Sequence, residues 1–317
     1  MDINYSKEYE AIVEAYKKAG GNPEGLFNSE YASIVINNHD VLAKNEVPGL
    51  HISYSKIKDG VKVKISVEDD VQVKNPVHLC FGMLPREGRQ IIDSDFYIGK
   101  RSKISFLAHC SFPDAEHIEH IMKSQVTLDE KAEMKYVEQH YHSESGGTFV
   151  YPKLSAKLGK GARLVEEFKL KNGRVGLLDI DYEVDQGPMS SCELLTKIFG
   201  KKDDKIDVKE SIHLNGEYAS GTAKSRLVMI DQASGNVLGE IEGNAAHSRG
   251  HIDCYEVVQD QGSIATSTPK ISVTNPLSKV THEAAIGRIN KKELETLMAR
   301  GLNEDDAVEL IVNGLLR

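Results

Sequence analysis

Apolar and polar residues alternate along most of this chain, and the period of the alternation changes twice. At the start it is helical: Tyr5, Tyr9, Ile12, Val13 and Tyr16 fall at i, i+4, i+7, i+8 and i+11, and Gly20-Gly21 ends the run, so a docked amphipathic helix is expected. A second short helix is expected within residues 29–40, and the Asn-Glu-Val-Pro-Gly run at 45–49 breaks any helix there. From His51 the period becomes two. Val61, Val63, Ile65 and Val67 alternate with Lys62, Lys64 and Ser66, the mark of a half-buried strand, and Val77 to Phe81 follows as a more apolar one. The same pattern predicts strands over residues 103–108, 132–141, 162–170, 175–184, 205–214, 225–230 and 251–258. After Ile289 the helical period returns. Asn290 caps a helix striped by Leu294, Leu297 and Met298 and closed by Gly301. Asn303 caps a second, with Glu304, Asp305 and Asp306 in its positive first turn and Val308, Ile311, Val312 and Leu315 on its face.

Turn signals punctuate the β region at Gly99-Lys100, Asp129-Glu130, Gly159-Lys160, Gln186-Gly187, Asn215-Gly216 and Glu242-Gly243, a spacing of roughly 27 to 30 residues that belongs to repeat architectures. Such a period is too short for βαβ units with full helices. Strand, turn, strand, turn in each repeat gives a parallel β-helix buried coil by coil, and an antiparallel sandwich is the alternative that the pattern leaves open. The expected organisation is a helical segment over 1–44, a β core over 45–289 and a helical segment over 290–317.

Composition narrows the function. The chain has 317 residues and a net charge of −9, which argues against nucleic acid as a partner, because that affinity rests on Lys and Arg neutralising phosphates. No stretch approaches the roughly 18 uncharged apolar residues of a membrane span, and the first residues have no apolar signal core, so a cytoplasmic protein is expected. Cys80, Cys110, Cys192 and Cys254 are widely separated with no Cys-x-x-Cys pair, so free thiols are expected in a reducing compartment. Gly99-Lys100-Arg101-Ser102 has the ending of a triphosphate-binding loop without its upstream glycine. Nucleotide hydrolysis would have to come from a partner.

The candidate chemistry lies in two segments, His247 to Cys254 and Asn275 to Ile289, which carry a cysteine and a His282-Glu283 pair. The second closely resembles the C-terminal motif of the SufB/SufD family, scaffold proteins of iron-sulfur cluster assembly; the resemblance is most specific over Arg249 to Leu316 and looser from about Asn45. It implies a right-handed parallel β-helix core and a function as a scaffold that assembles and transfers a transient iron-sulfur cluster, with no enzymatic activity of its own. It also implies an ABC-type, SufC-like ATPase subunit docked near the C-terminal helices, and acceptor apo-proteins. Cys254 matches the family's C-terminal cysteine and Glu283 the acidic residue of its His-Glu pair, with His282 beside it. The chain is shorter than the usual SufB or SufD, with little before the β core. Having both Cys254 and Glu283 it is SufB-like, and it is expected as a homodimer or a dimer with a paralogue, the site being completed from both copies.

Spacing adds its own expectation. Cys254 and Glu283 are 29 residues apart in the sequence, about one period, which would set them on neighbouring coils roughly 4.8 Å apart. Side chains alternate on a strand, so His282 and Glu283 cannot both face Cys254 without a bulge; Glu283 is the expected ligand, as a metal site with Cys254, with His282 orienting or packing. His251 and Asp253 are read as structural. Cys80, between Leu79 and Phe81, reads as core, and Cys192 follows a turn, where it could receive sulfur. Two further groups, His109/Cys110/His117/His120 and His140/His142, could each bind a divalent metal, although neither has a recognisable zinc spacing. Two other functions remain to be weighed. One is a SufD-like interaction module without a cluster of its own. The other is a polysaccharide-active β-helix enzyme, disfavoured by the absence of Trp and by 6% aromatic residues.

Overall fold

The computed structural model describes residues 2–3 and 7–316. Its elements in order are β1 (Asp2–Ile3), α1 (Lys7–Lys18), α2 (Glu24–Phe27), β2 (Ser33–Asn37), β3 (Asp40–Asn45), β4 (Leu50–Ile57), β5 (Gly60–Val67), β6 (Val77–Gly82), β7 (Glu87–Ile98) and β8 (Lys103–Phe112). Then come β9 (His117–Leu128), β10 (Glu133–His142), β11 (Thr148–Leu158), β12 (Arg163–Asn172), β13 (Leu177–Gln186), β14 (Ser191–Gly200), β15 (Lys205–Leu214) and β16 (Ser220–Met229). The chain closes with β17 (Ser234–Gly243), β18 (Arg249–Val258), β19 (Ile264–Val273), β20 (Lys279–Gly287), α3 (Lys291–Met298) and α4 (Glu304–Leu315).

From β5 onward successive strands go alternately to two sheets. One has the order β1-β3-β2-β6-β8-β10-β12-β14-β16-β18-β20, the other β19-β17-β15-β13-β11-β9-β7-β5-β4. The ladders between coils are parallel, and the result is a parallel β-helix of about eight turns with short terminal helices. Arg163 lies beside Ser191, Ser191 beside Ser220, Ser220 beside Arg249 and Arg249 beside Lys279, so one coil takes 28 to 30 residues. The sandwich alternative is thereby excluded. Alternation puts Phe106, Tyr136 and Phe168 inside with Phe96 and Leu170, in one continuous apolar core.

The turns explain why the coils stack. In the turns before β8, β10, β12, β14, β16 and β18 the third residue has a positive φ, at Arg101, Lys131, Gly161, Met189, Tyr218 and His247. Each is followed by a small buried residue, Ser102, Ala132, Ala162, Ser190, Ala219 or Ser248, whose N–H closes the turn onto the carbonyl three residues back. Five of the six left-handed residues are not glycine, a cost of roughly 1 to 2 kcal/mol apiece. The offset is visible: the N–H groups of Arg101, Lys131, Gly161, Met189 and Tyr218 donate to carbonyls of the next coil's turn, so the turns form a ladder of their own.

Two packed caps flank the outer face of the first sheet. On α1, Tyr9, Ile12 and Tyr16 join Leu26, Val35 and Cys80, and Cys80 is core as expected. Tyr5 and the side chain of Asp305 lie outside the described residues. The helix expected within residues 29–40 is instead strand β2, followed by β3, so the segment expected to be helical over 1–44 ends in strands. At the other end Leu294, Ala307, Val312 and Leu316 pack on Phe199, Val228 and Val257. Asn290 accepts from Lys292 and Glu293 N–H groups and Asn303 from Asp306, so both helix caps form as the sequence indicates. The sequence also suggests that the Glu293 side chain reaches back to the Asn290 cap; among the described residues only its N–H bonds to Asn290.

Candidate functional site at the open end of the helix

The two candidate segments become the last strands of the first sheet, β18 and β20, paired in parallel. On β18 the alternating buried positions are Gly250, Ile252, Cys254 and Glu256, Val257 being buried from the other face under the C-terminal helices, so Cys254 points into the lumen, where it belongs to the main core. Its neighbours are Ser225 on β16 and Ala284 on β20. Burial pushes the Cys254 thiol above its usual range, while the hydroxyls of Ser225 and Ser267 pull the other way and the carboxyls of Glu256 and Glu210 push with it. A neutral thiol is the resting form, and a metal ion must displace its proton to bind.

The register corrects the expectation drawn from spacing. Cys254 sits beside Ala284, Asp253 beside Glu283 and Ile252 beside His282. Within one chain it is therefore His282 whose position shares the inward face with Cys254, and Glu283 falls on the outward face. The cause is one residue in a turn: the connection from β16 to β17 spans 230–233, whereas that from β18 to β19 spans 259–263. The last coil thus takes 30 residues, and a 29-residue spacing ends one position short, which reverses the face. Asp253 and His251 are outward, with Asp253 paired to Arg226 and His251 bonded to Thr281, the structural settings expected of them.

β19 and β20 are the terminal strands of their sheets. With no further coil above them, their inward faces are partly open, and His282, Glu283, Ala284 and Ile286 are exposed. Cys254 lies one coil below this mouth and, among the described residues, is the only cysteine near it. Cys80, Cys110 and Cys192 are buried among earlier strands. Burial pushes the Cys80 thiol up to about 12 and raises Cys192 well above its usual range, so Cys192 is not the accessible thiol that its place after a turn suggested. The donor set at the mouth is one soft thiol, one imidazole on its face and one carboxylate on the reverse face of the edge strand. Thiolate and imidazole suit iron, and a hard carboxylate holds it less firmly.

The remaining histidines separate by face. His109 points outward and packs against Tyr16, while His117 is exposed against Phe149. Cys110, His120, His140 and His142 all point inward and are buried, so two groups far apart in the sequence meet in one lumen. Sequence reasoning missed the acids beside them. Glu138, Glu166, Glu210 and Glu256 are all buried inside, although each occupies an inward position of an alternating strand, which was the available signal.

Residues 94–315 match the family model described as SUF system FeS cluster assembly, SufBD core domain. A SufBD family iron-sulfur cluster assembly protein of Pyrococcus horikoshii is 37% identical over 316 residues, covering 100% of this chain and 96% of the relative. One of Methanocaldococcus jannaschii is 36% identical over 315 residues, covering 99% of each. The iron-sulfur cluster assembly protein SufB of Bacillus subtilis is 22% identical over 203 residues, 64% of this chain and 37% of its own length. The chain belongs to the SufBD family of iron-sulfur cluster assembly proteins.

Proposed function

We propose that this chain is a scaffold on which an iron-sulfur cluster is assembled at the open end of the β-helix and from which the cluster is passed to acceptor proteins. The observation that carries this is the position of Cys254, an inward thiol one coil beneath a mouth whose edge strand presents His282 on the same face. Few thiolates at an exposed edge suit a cargo that must leave. Cys254 supplies the soft anionic ligand and His282 the ligand from the same face. Glu283, beside Asp253 on the outer rim, gathers iron or is presented to a second copy.

A second copy fits this end. Ile264, Val273, Leu277 and Ile286 are large apolar side chains exposed by between 45% and 59% there. β20 offers an edge without proline, whereas β19 carries Pro269. Pairing β20 with its symmetry mate across a two-fold axis would bring two copies of Cys254, His282 and Glu283 together. In this proposal a SufC-like ATPase docks on α3 and α4. Leu294 is spent on the β-helix, so the surface left for a partner is the one bearing Met298 and Leu310, both exposed. Leu310→Asp is expected to abolish co-purification with that ATPase while leaving the circular dichroism unchanged; retained co-purification would assign the helices to capping alone.

Anaerobic reconstitution with Fe2+ and sulfide tests the ligand order. His282→Ala is expected to lose more iron than Glu283→Ala, because an in-face nitrogen ligand is lost in the first and a rim carboxylate in the second. The reverse ranking would mean that Glu283 reaches the cluster from a second copy and that His282 packs. A colourless wild-type protein that takes up no iron and sulfide, yet binds the ATPase, would favour a SufD-like module.

A further inference from the structure

Five coils away from Cys254, at roughly 24 Å along the sheet, the inward faces of β8, β9 and β10 assemble a second set of donors. His140 lies directly beside Cys110 in the ladder. The Cys110 sulfur, a Glu138 carboxylate oxygen and a His140 nitrogen all lie within 4.8 Å of one another, and all three residues are buried. His120 completes the group from the opposite sheet, its ring centroid 6.0 Å from that of His140.

The hydrogen bonds define what is lacking. The Nδ1–H of His142 faces the Arg174 carbonyl at 3.1 Å, which leaves the lone pair on His142 Nε2 facing His140 Nδ1, also at 3.1 Å. His140 must donate there, so a neutral His140 has its lone pair on Nε2, 2.6 Å from Glu138 Oε1. Two acceptors then face each other, and a cation belongs between them. An extra proton on His140 would satisfy that pair alone. It would not account for His120, which is fully buried with neither ring nitrogen partnered, and the Cys110 thiol at the same point has only the weak acceptor Met122 Sδ at 3.8 Å. A buried imidazole without partners is costly, and a metal ion is the one occupant that uses all four groups.

We propose that Cys110, Glu138, His140 and His120 form an internal binding site for a divalent transition-metal ion of borderline softness, such as Fe2+ or Zn2+. The thiolate and imidazoles select against Mg2+ and Ca2+. His142 acts as the outer partner that fixes the tautomer and orientation of His140. Phe112 and Phe168 wall the site, with ring centroids 6.4 and 4.8 Å from His140. Tetrahedral ligands around such an ion lie about 3.5 Å apart, so Cys110, Glu138 and His140 are already near ligand spacing, and His120 would have to swing towards them from the opposite sheet.

The test uses Co2+ on the full chain carrying Cys254→Ala, so that the mouth contributes no thiolate, with the protein refolded anaerobically in the presence of the ion. One equivalent of Co2+ showing thiolate-to-metal charge transfer is expected. Adding Cys110→Ala should remove that band, adding His120→Phe should weaken binding about tenfold, and adding Cys192→Ala should change nothing. X-ray absorption of the Co2+-loaded Cys254→Ala chain should report one sulfur with nitrogen and oxygen neighbours, and this needs no further variant to fold. A Cys254→Ala chain that holds no Co2+, or whose charge transfer survives Cys110→Ala, overturns the proposal. Cluster assembly at the mouth is read separately, by reconstitution of Cys110→Ala with Cys254 intact.

Discussion

Cys254 and the acids near it show how single residues set the chemistry. The lumen that shelters the thiol also contains Glu210, which accepts from Thr196 Oγ1 at 2.7 Å, and Glu256, which accepts from Ser225 Oγ at 3.1 Å. Burial pushes both carboxyls up to about 7. A carboxyl whose folded pKa is raised costs nothing below its unfolded pKa of about 4.3. Its penalty builds up as the pH rises from there to about 7, where the folded protein keeps a proton that the unfolded chain has released, and is fully present above 7. Glu210→Gln retains the oxygen that Thr196 needs and removes the titration. It is expected to raise the thermal midpoint on the alkaline side of neutrality and to leave it nearly unchanged near the unfolded carboxyl pKa. An equal shift at both pH values would show that Glu210 acts through packing and not through its charge.

At the scale of elements, what could be read from the sequence depended on how each element is buried. Val61 to Val67 was legible because one face is wet and one dry, and the turns were legible because their Gly, Asp and Asn signals recur at the coil period. β2 was misread as helix: all five of its residues are buried, with Ile34 and Ile36 in the main core and Val35 under α1, so no alternation marks it as a strand. β11 escaped because Pro152 interrupts it, and β17 because glycine occupies Gly235, Gly239 and Gly243. The segments of the candidate site were legible by motif, but the face each residue takes was not. One added residue in the turn over 259–263 decided it. The stacked turns carry a prediction of their own. A Cβ on Gly216 would lie 2.1 Å from the backbone of Gly187 and Pro188 in the coil beneath. Gly216→Ala is therefore expected to cost about 2 to 3 kcal/mol, read as a fall of roughly 5 °C or more in thermal midpoint. An unchanged midpoint would mean that the turns do not stack as tightly as the ladder of N–H groups indicates.

For the whole molecule, the two ends differ. The first coil is finished by antiparallel pairings, β2 with β3 and β4 with β5, whereas the last presents the edges of β19 and β20 with an apolar mouth. Exposed edges of this kind are places for another chain to pair. The chain is accordingly expected to sediment as a dimer, and Ile286→Lys, which puts a charge into the mouth, is expected to yield monomers with the same circular dichroism. Monomeric wild-type protein would place the partner elsewhere. Whether Cys254 holds the cluster is read by anaerobic reconstitution of wild type and Cys254→Ser, with iron and sulfide counted per chain. A serine hydroxyl is a hard ligand that seldom ionises at neutral pH, so wild type should hold both elements and Cys254→Ser should lose most of them while remaining folded. A Cys254→Ser protein holding as much iron and sulfide as wild type would remove Cys254 from the site.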